Sequence, residues 1–365
     1  MEAQRNTERI IGLDSLRTIS ICLVILNHLH IGLASGLGVT LFYTISGFII
    51  TKLLILEKST TANFAFIKFF YRRCLKLIPP LTVIIILPSI IFKNLFNIEN
   101  STIFSQIFFY FNWKLISSAS VAGIPGGYVV WSLSVEEQYY ILVAITWIIL
   151  IKFRIEKSNG YLLAIYVLIY LVSTFERIYI SNSGHFSRNQ WGDISRISFG
   201  TDTRIGAIAM GGIIAIIFTK KKTVLFILNK KFVIHSVLNL FICCIIVSLL
   251  IISQKIPSKL FIDSFRFNCL ELVSFLTVLL TIINNDSNSF LQKIIKIRIM
   301  NLIGKSSYCI YLSHLVIINF ANNFAIFNNL GSRLFLFTIT ILIGIALYFC
   351  LDAPFEKFRN NLRSF

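Results

Sequence analysis

Arg17 and His28 stand eleven residues apart in one apolar stretch, DSLRTISICLVILNHLH. In a helix eleven residues turn by about 1100°, three full turns and about 20°, so both side chains share one face. His28 then lies ~16 Å beyond Arg17 along the axis, roughly the midplane of a ~30 Å hydrocarbon core if Arg17 marks its edge. His30 points about 140° away on the same wheel and cannot share that face. Ionisable groups at such depth are costly and usually face a polar cavity with a function. The alternative is a snorkelling arginine with a histidine bonded to neighbouring backbone. A second histidine, His314 in IGKSSYCIYLSHLVI, lies nine residues past Lys305, ~14 Å along its own helix, after Tyr308 and Tyr311. It reads equally as a satisfied core group or as a catalytic or substrate-binding one. Glu136 in WSLSVEEQYY stands beside Trp131 and Tyr139, where a carboxylate can act as general acid/base, orient a histidine, or be an ordinary interfacial group.

The elements that position these residues are membrane spans. The chain has 365 residues, 56% apolar and 14% charged, with a mean hydropathy of +0.79, beyond ordinary globular proteins. An all-α polytopic transmembrane bundle is expected, as one domain over 1–365. Apolar runs occur at about 18–36, 37–56, 77–97, 135–151, 160–176, 204–219, 232–253, 267–284, 304–322 and 333–351, ten in all. With both termini cytoplasmic, 24 Lys and Arg fall on that side against ten outside, among them Arg177, Arg196 and Arg204, as the positive-inside rule requires. The net charge of +18 is thereby a topology signal, and nucleic acid is not an expected partner. Seven cysteines in or beside apolar runs, with no C-x-x-C spacing, suggest neither a disulfide framework nor a zinc site. No cleavage signature follows the first run, which reads as an uncleaved span.

Along the chain, Asp14 or Ser15 can cap the first helix. Gly32, Gly36 and Gly38 mark an external turn, and Ser46 and Gly47 read as packing residues inside the second span. Residues 58–77 read as a cytoplasmic amphipathic basic helix, with Pro79 and Pro80 shaping the start of the third span. Arg73 and Lys76, three apart, are neighbours on one face. From charge alone, anionic lipid headgroups are the simpler ligand, and a phosphorylated ligand is the other. After the breaker run GIPGGY, Ser134 and Glu137 have capping-box spacing, which leaves Glu136 without a structural task. Asp202 and Arg204 either pair with each other or hold a polar acceptor. Residues 352–365 form a short cytoplasmic tail. No internal repeat or pair of broken helices of transporter type is visible.

The ordered run GLDSLRTISICLVILNH, GVTLFYTISGFIIT, FYRRCLKLIPP, WSLSVEEQYY, TDTRIGAIAMG and IGKSSYCIYLSH resembles the acyltransferase family 3 membrane proteins, which O-acylate extracytoplasmic carbohydrates. The family's Arg, ten residues, His pattern falls on Arg17 and His28. Its R-x-x-R falls on Arg73 with Lys76 in the second place, and its W-S-L-x-V-E on Trp131 to Glu136. The resemblance implies catalytic roles for His28 and Glu136, and binding of acyl-CoA, most often acetyl-CoA, by Arg17, Arg73 and Lys76. Trp131, Arg204, Tyr311 and His314 become acceptor-side candidates, and no metal is implied. It further implies a multi-pass protein of the bacterial cytoplasmic (inner) membrane acting on a carbohydrate such as lipopolysaccharide O-antigen or exopolysaccharide. Three departures stand out: Lys76 lacks bidentate phosphate geometry, Gly206 stands where the family often carries an acid, and the ending reads DAPFEKF with Asp352 in the acidic position. The chain reads as the stand-alone form, with no fused hydrolase-like domain. The rival reading is a transporter or flippase with a His/Glu/Arg pathway.

Overall fold

Backbone in a bilayer must be hydrogen-bonded internally, so runs this apolar fold as helices. The computed structural model describes residues 11–31, 36–61, 66–118, 121–152, 159–183, 195–218, 238, 240–242, 244–245, 264–283, 297–322 and 329–361. In order, the helices are α1 (Ile11–His28), α2 (Leu37–Thr61), α3 (Phe66–Leu81), a π-helical turn (Thr82–Ile86), α4 (Leu87–Ile91), α5 (Asn100–Ile107), α6 (Phe111–Ser117), a 3-10 turn (Gly127–Val129), α7 (Val130–Lys152), α8 (Asn159–Ser183), α9 (Ser195–Phe199), α10 (Thr201–Phe218), α11 (Arg266–Ile283), α12 (Arg298–Asn322), α13 (Leu330–Leu351) and α14 (Ala353–Asn361). Among the described residues there is no strand. The protein is an all-α polytopic membrane bundle.

Among the described residues, seven stretches are long and apolar enough to cross a membrane: Leu37–Leu56, Phe69–Ile91, Gly127–Leu150, Gly160–Asn182, Arg196–Phe218, Arg266–Ile283 and Leu330–Leu351. They correspond to seven of the ten expected spans. The runs expected at 18–36 and 304–322 overlap α1 and α12, helices of 18 and 25 residues. The run expected at 232–253 lies mostly outside the described residues.

Several local expectations are corrected. Helix α1 begins at Ile11, so Asp14 and Ser15 lie inside it and do not cap it. It ends at His28: the Ile31 amide bonds to Leu26 O and the His30 amide to Asn27 O, with His30 left-handed at φ 55°, the paired bonds of a Schellman stop. His28 is therefore the last helical residue rather than the middle of a longer span, and His30 leaves the wheel altogether. Of the basic helix expected over 58–77, α2 includes residues up to Thr61 and α3 those from Phe66, while residues 62–65 lie outside the described residues. Helix α3 then continues through Pro79 and Pro80 into the π-helical turn, which carries Arg73 and Lys76 into the span Phe69–Ile91. A proline pair removes two backbone donors, and the ladder re-forms when Leu87 N–H bonds Thr82 O, five residues back.

Helix α7 starts at Val130, four residues before Ser134, whose hydroxyl donates to Val130 O. Ser134 is no N-cap and Glu137 no capping-box partner. The GIPGGY run is absorbed as a tight approach: Gly126 has φ +91° and a Cβ there would fall 2.3 Å from Val316 N. Arg177, expected in an external stretch, and Arg204, expected at the outer mouth of the sixth span, lie inside α8 and α10 and are buried. The helices continue past the ends of the apolar windows.

Candidate active site

Helices α1 and α12 meet closely because Gly304 has no side chain: a Cβ there would sit 1.9 Å from Asp14 O. Thr18 ties the same pair by donating to Met300 O. This contact brings the two histidines, His28 and His314, side by side, their ring centroids 5.2 Å apart and their planes tilted by 46°. The Tyr311 ring lies 5.3 Å from His314. Its hydroxyl shares a 2.6 Å hydrogen bond with Ser132, whose carbonyl accepts from Tyr43.

Tyr311 also lines a cavity of about 500 Å³ together with Arg17, Arg73, Lys76 and Glu136, a size within the ~300–1,000 Å³ of small-molecule sites. Four of the five proposed catalytic and donor-binding residues thus converge on one cavity. His28 stands beyond its wall and reaches it through His314 and Tyr311. Tyr308, also in the wall, docks α12 on α3 by donating to Leu77 O. Lys305 from α12 and Arg359 from α14 add further cations. The expected tail is therefore partly a wall: α14 brings Glu356 and Arg359 to the cavity, beside Asp352, which accepts from Arg359. Residues 362–365 lie outside the described set.

Arg73 is held within the cavity wall. It donates to Glu137 from Nη2 at 2.7 Å and Nε at 3.2 Å, and reaches Glu136 at 3.5 Å. Its guanidinium lies 3.7 Å over the Tyr140 ring. Glu136 in turn accepts from Ser46 at 2.7 Å and from Tyr140. Ser46 is therefore a partner of the carboxylate and not merely a packing residue, while Gly47 does pack, since its Cβ would meet Ile208 O at 1.9 Å. Among the described residues no hydrogen bond joins His28 to Glu136.

Besides the two histidines, Trp131 and Arg204 stand away from the cavity lining. Trp131 is half-buried with its ring 4.9 Å from Phe199. Arg204, 2% exposed, donates to Thr40 Oγ1 at 3.3 Å, lies 4.3 Å over Phe267 and 5.8 Å from the Tyr43 ring, and among the described residues leaves Nε without a partner. It does not pair with Asp202, which is taken by Arg196. A carboxylate from another helix lies beside Gly206. Glu271 on α11 brings Oε1 to 3.0 Å from where a Gly206 Cβ would be, and binds Arg177 from both oxygens at 2.8 and 2.9 Å. Sequence reading had no signal for Glu271, because its partner lies 94 residues away.

A family model described as Acyltransferase domain matches residues 10–349. The chain belongs to acyltransferase family 3. Among its relatives, O-acetyltransferase OatA of Staphylococcus aureus strain NCTC 8325 is 29% identical over 362 residues, covering 95% of this chain and 57% of that protein. OatA of Staphylococcus aureus strain COL gives the same figures. The chain thus spans a little over half the length of these curated relatives. No solved structure matches. For this acyltransferase family 3 chain the matched region contains every residue placed above around the cavity and the histidine pair, apart from those in Asp352 and α14.

Proposed function

We propose that the protein is a membrane O-acetyltransferase that moves an acyl group from acetyl-CoA, bound from the cytoplasm, to a hydroxyl of an extracytoplasmic carbohydrate. The observation that carries this reading is the connection of a cation-lined cavity, through Tyr311, to the His28–His314 pair. Arg17, Lys76 and Lys305 supply donors to the phosphates of CoA. Arg73, tied to Glu137 and Glu136, adds charge while fixing the acidic side of the cavity. The thioester end points toward the histidines.

His28 acts as general base, since a neutral imidazole takes the hydroxyl proton as the oxygen attacks the acyl carbon. The new C–O bond forms, the C–S bond breaks, and the proton on His28 passes to the departing thiolate, giving ester and CoA–SH. Glu136, Trp131 and Arg204 are assigned to the acceptor side and its orientation. The setting is a bacterial cytoplasmic membrane, with a cell-surface polysaccharide or glycolipid as acceptor. That OatA is named an O-acetyltransferase supports the acyl group and the reaction type.

Saturable binding of radiolabelled CoA by the purified full chain tests the donor half. Lys76→Ala removes a charge-assisted hydrogen bond of about 1.5–3 kcal/mol, so about a tenfold or greater loss of affinity is expected. CoA binding that is absent in the unmutated chain, or unchanged in Lys76→Ala and Arg17→Ala alike, overturns the assignment.

A further inference from the structure

His314 is fully buried within α12, and its Nδ1 lies 2.5 Å from Tyr311 O. A carbonyl oxygen only accepts, so Nδ1 must carry the proton, and a neutral imidazole then presents Nε2 as a bare acceptor. That Nε2 is buried and, among the described residues, has no hydrogen-bond partner, a costly condition for an acceptor. Among the described residues two rings lie beside His314, those of Tyr311 and His28. The Tyr311 hydroxyl is engaged by Ser132. His28 is left as the neighbouring ring with an N–H to offer, and the 5.2 Å centroid separation has room for an N–H···N bond between the two rings when each turns a nitrogen toward the other.

We propose that His314 is a positioning residue for His28, accepting a hydrogen bond from one His28 nitrogen and so leaving the other His28 nitrogen unprotonated toward the acceptor hydroxyl. The order is Tyr311 C=O, Nδ1–H of His314, Nε2 of His314, N–H of His28, and the free nitrogen of His28. Tyr311 O fixes the tautomer of His314, and His314 fixes that of His28, in the way a carboxylate orients a catalytic histidine. When His28 takes the hydroxyl proton it becomes an imidazolium whose inner N–H still points at a lone pair. No other bond changes. The parts that hold the two rings in register are on α1 and α12: the Schellman stop after His28, the Gly304–Asp14 contact and the Thr18 bond to Met300 O.

This inference rests on the reading of His28 as the base, and its test separates the two. The full chain, 15N-labelled at histidine and held in lipid bilayers, is examined by NMR, with His314 assigned by its loss in His314→Gln. An Nδ1-protonated His314, with His28 signals that shift in His314→Phe, is expected. In parallel, His314→Phe fills the space without an acceptor, and should lower kcat on the order of tenfold or more while leaving KM for acetyl-CoA unchanged. His314→Gln, whose carboxamide oxygen can accept, should recover most of that loss. An Nε2-protonated His314, or a Phe variant as active as the unmutated protein, overturns the positioning role. A fully active His28→Ala instead removes the general-base reading itself, whatever His314 does.

Discussion

Glu271→Ala removes the carboxylate that accepts from Arg177 at both oxygens, in a pair whose side chains are 0% and 1% exposed. Arg177 keeps its bonds to Thr203 O and Asn268 Oδ1 but loses its counter-charge. Breaking a buried pair from one side costs about 3–5 kcal/mol, because an uncompensated charge is left inside. Replacing both partners with apolar residues of similar volume is often neutral or better. Glu271→Ala should therefore destabilise the bundle by about 3–5 kcal/mol, and the double variant Arg177→Met with Glu271→Leu by markedly less than the single one. Thermal unfolding of the detergent-solubilised protein, followed with a thiol-reactive dye that reports exposure of buried Cys244 and Cys309, gives both values, and the double-mutant cycle gives their coupling. A Glu271→Ala variant within about 0.5 kcal/mol of the parent, or single effects that simply add in the double variant, would refute the reasoning.

Gly304→Ala should push α1 off α12, since its Cβ would meet backbone at 1.9 Å, costing about 1–3 kcal/mol in the same unfolding assay; an unchanged Tm contradicts the close approach. His30→Gly relieves a left-handed φ of 55° and should be neutral or stabilising by up to about 1 kcal/mol, with transferase activity retained; lost activity would show that His30, and not only His28, belongs to the site. Ser46→Ala removes one donor to Glu136 and should lower kcat a few-fold with KM for acetyl-CoA unchanged, and a change in KM alone would move Ser46 to donor binding. Glu137→Gln weakens the hold on Arg73, costing about 1–3 kcal/mol, read as a lowered Tm; a raised Tm would contradict that role.

Much of this arrangement is legible in the sequence because each motif sits at one end of a long apolar helix. The expected depth match of His28 and His314 becomes a ring contact, and Arg17, Arg73, Lys76 and Glu136 share a cavity although the chain separates them by up to 119 residues. What stayed hidden has specific causes. Ser134 and Glu137 are three apart, and i,i+3 spacing serves a helix interior as well as a cap. Only the folded 127–129 turn, which feeds directly into α7, decides between them. Arg177 resembled a loop cation because apolar windows stop at the first charge, yet α8 continues to Ser183. Glu271 is one acid inside an apolar run, and its meaning comes from Arg177 and Gly206 on other helices. Helix ends shift by several residues where a Schellman turn or a proline pair intervenes, which is why His28 closes α1 instead of lying inside it.

Acyl transfer through His28 is read from mass spectrometry of surface glycans from cells expressing the full chain, His28→Ala, or neither, with membrane levels of the two proteins matched by immunoblot. An O-acetyl mass increment present only with the unmutated protein is the predicted result. The same increment with His28→Ala would contradict the account.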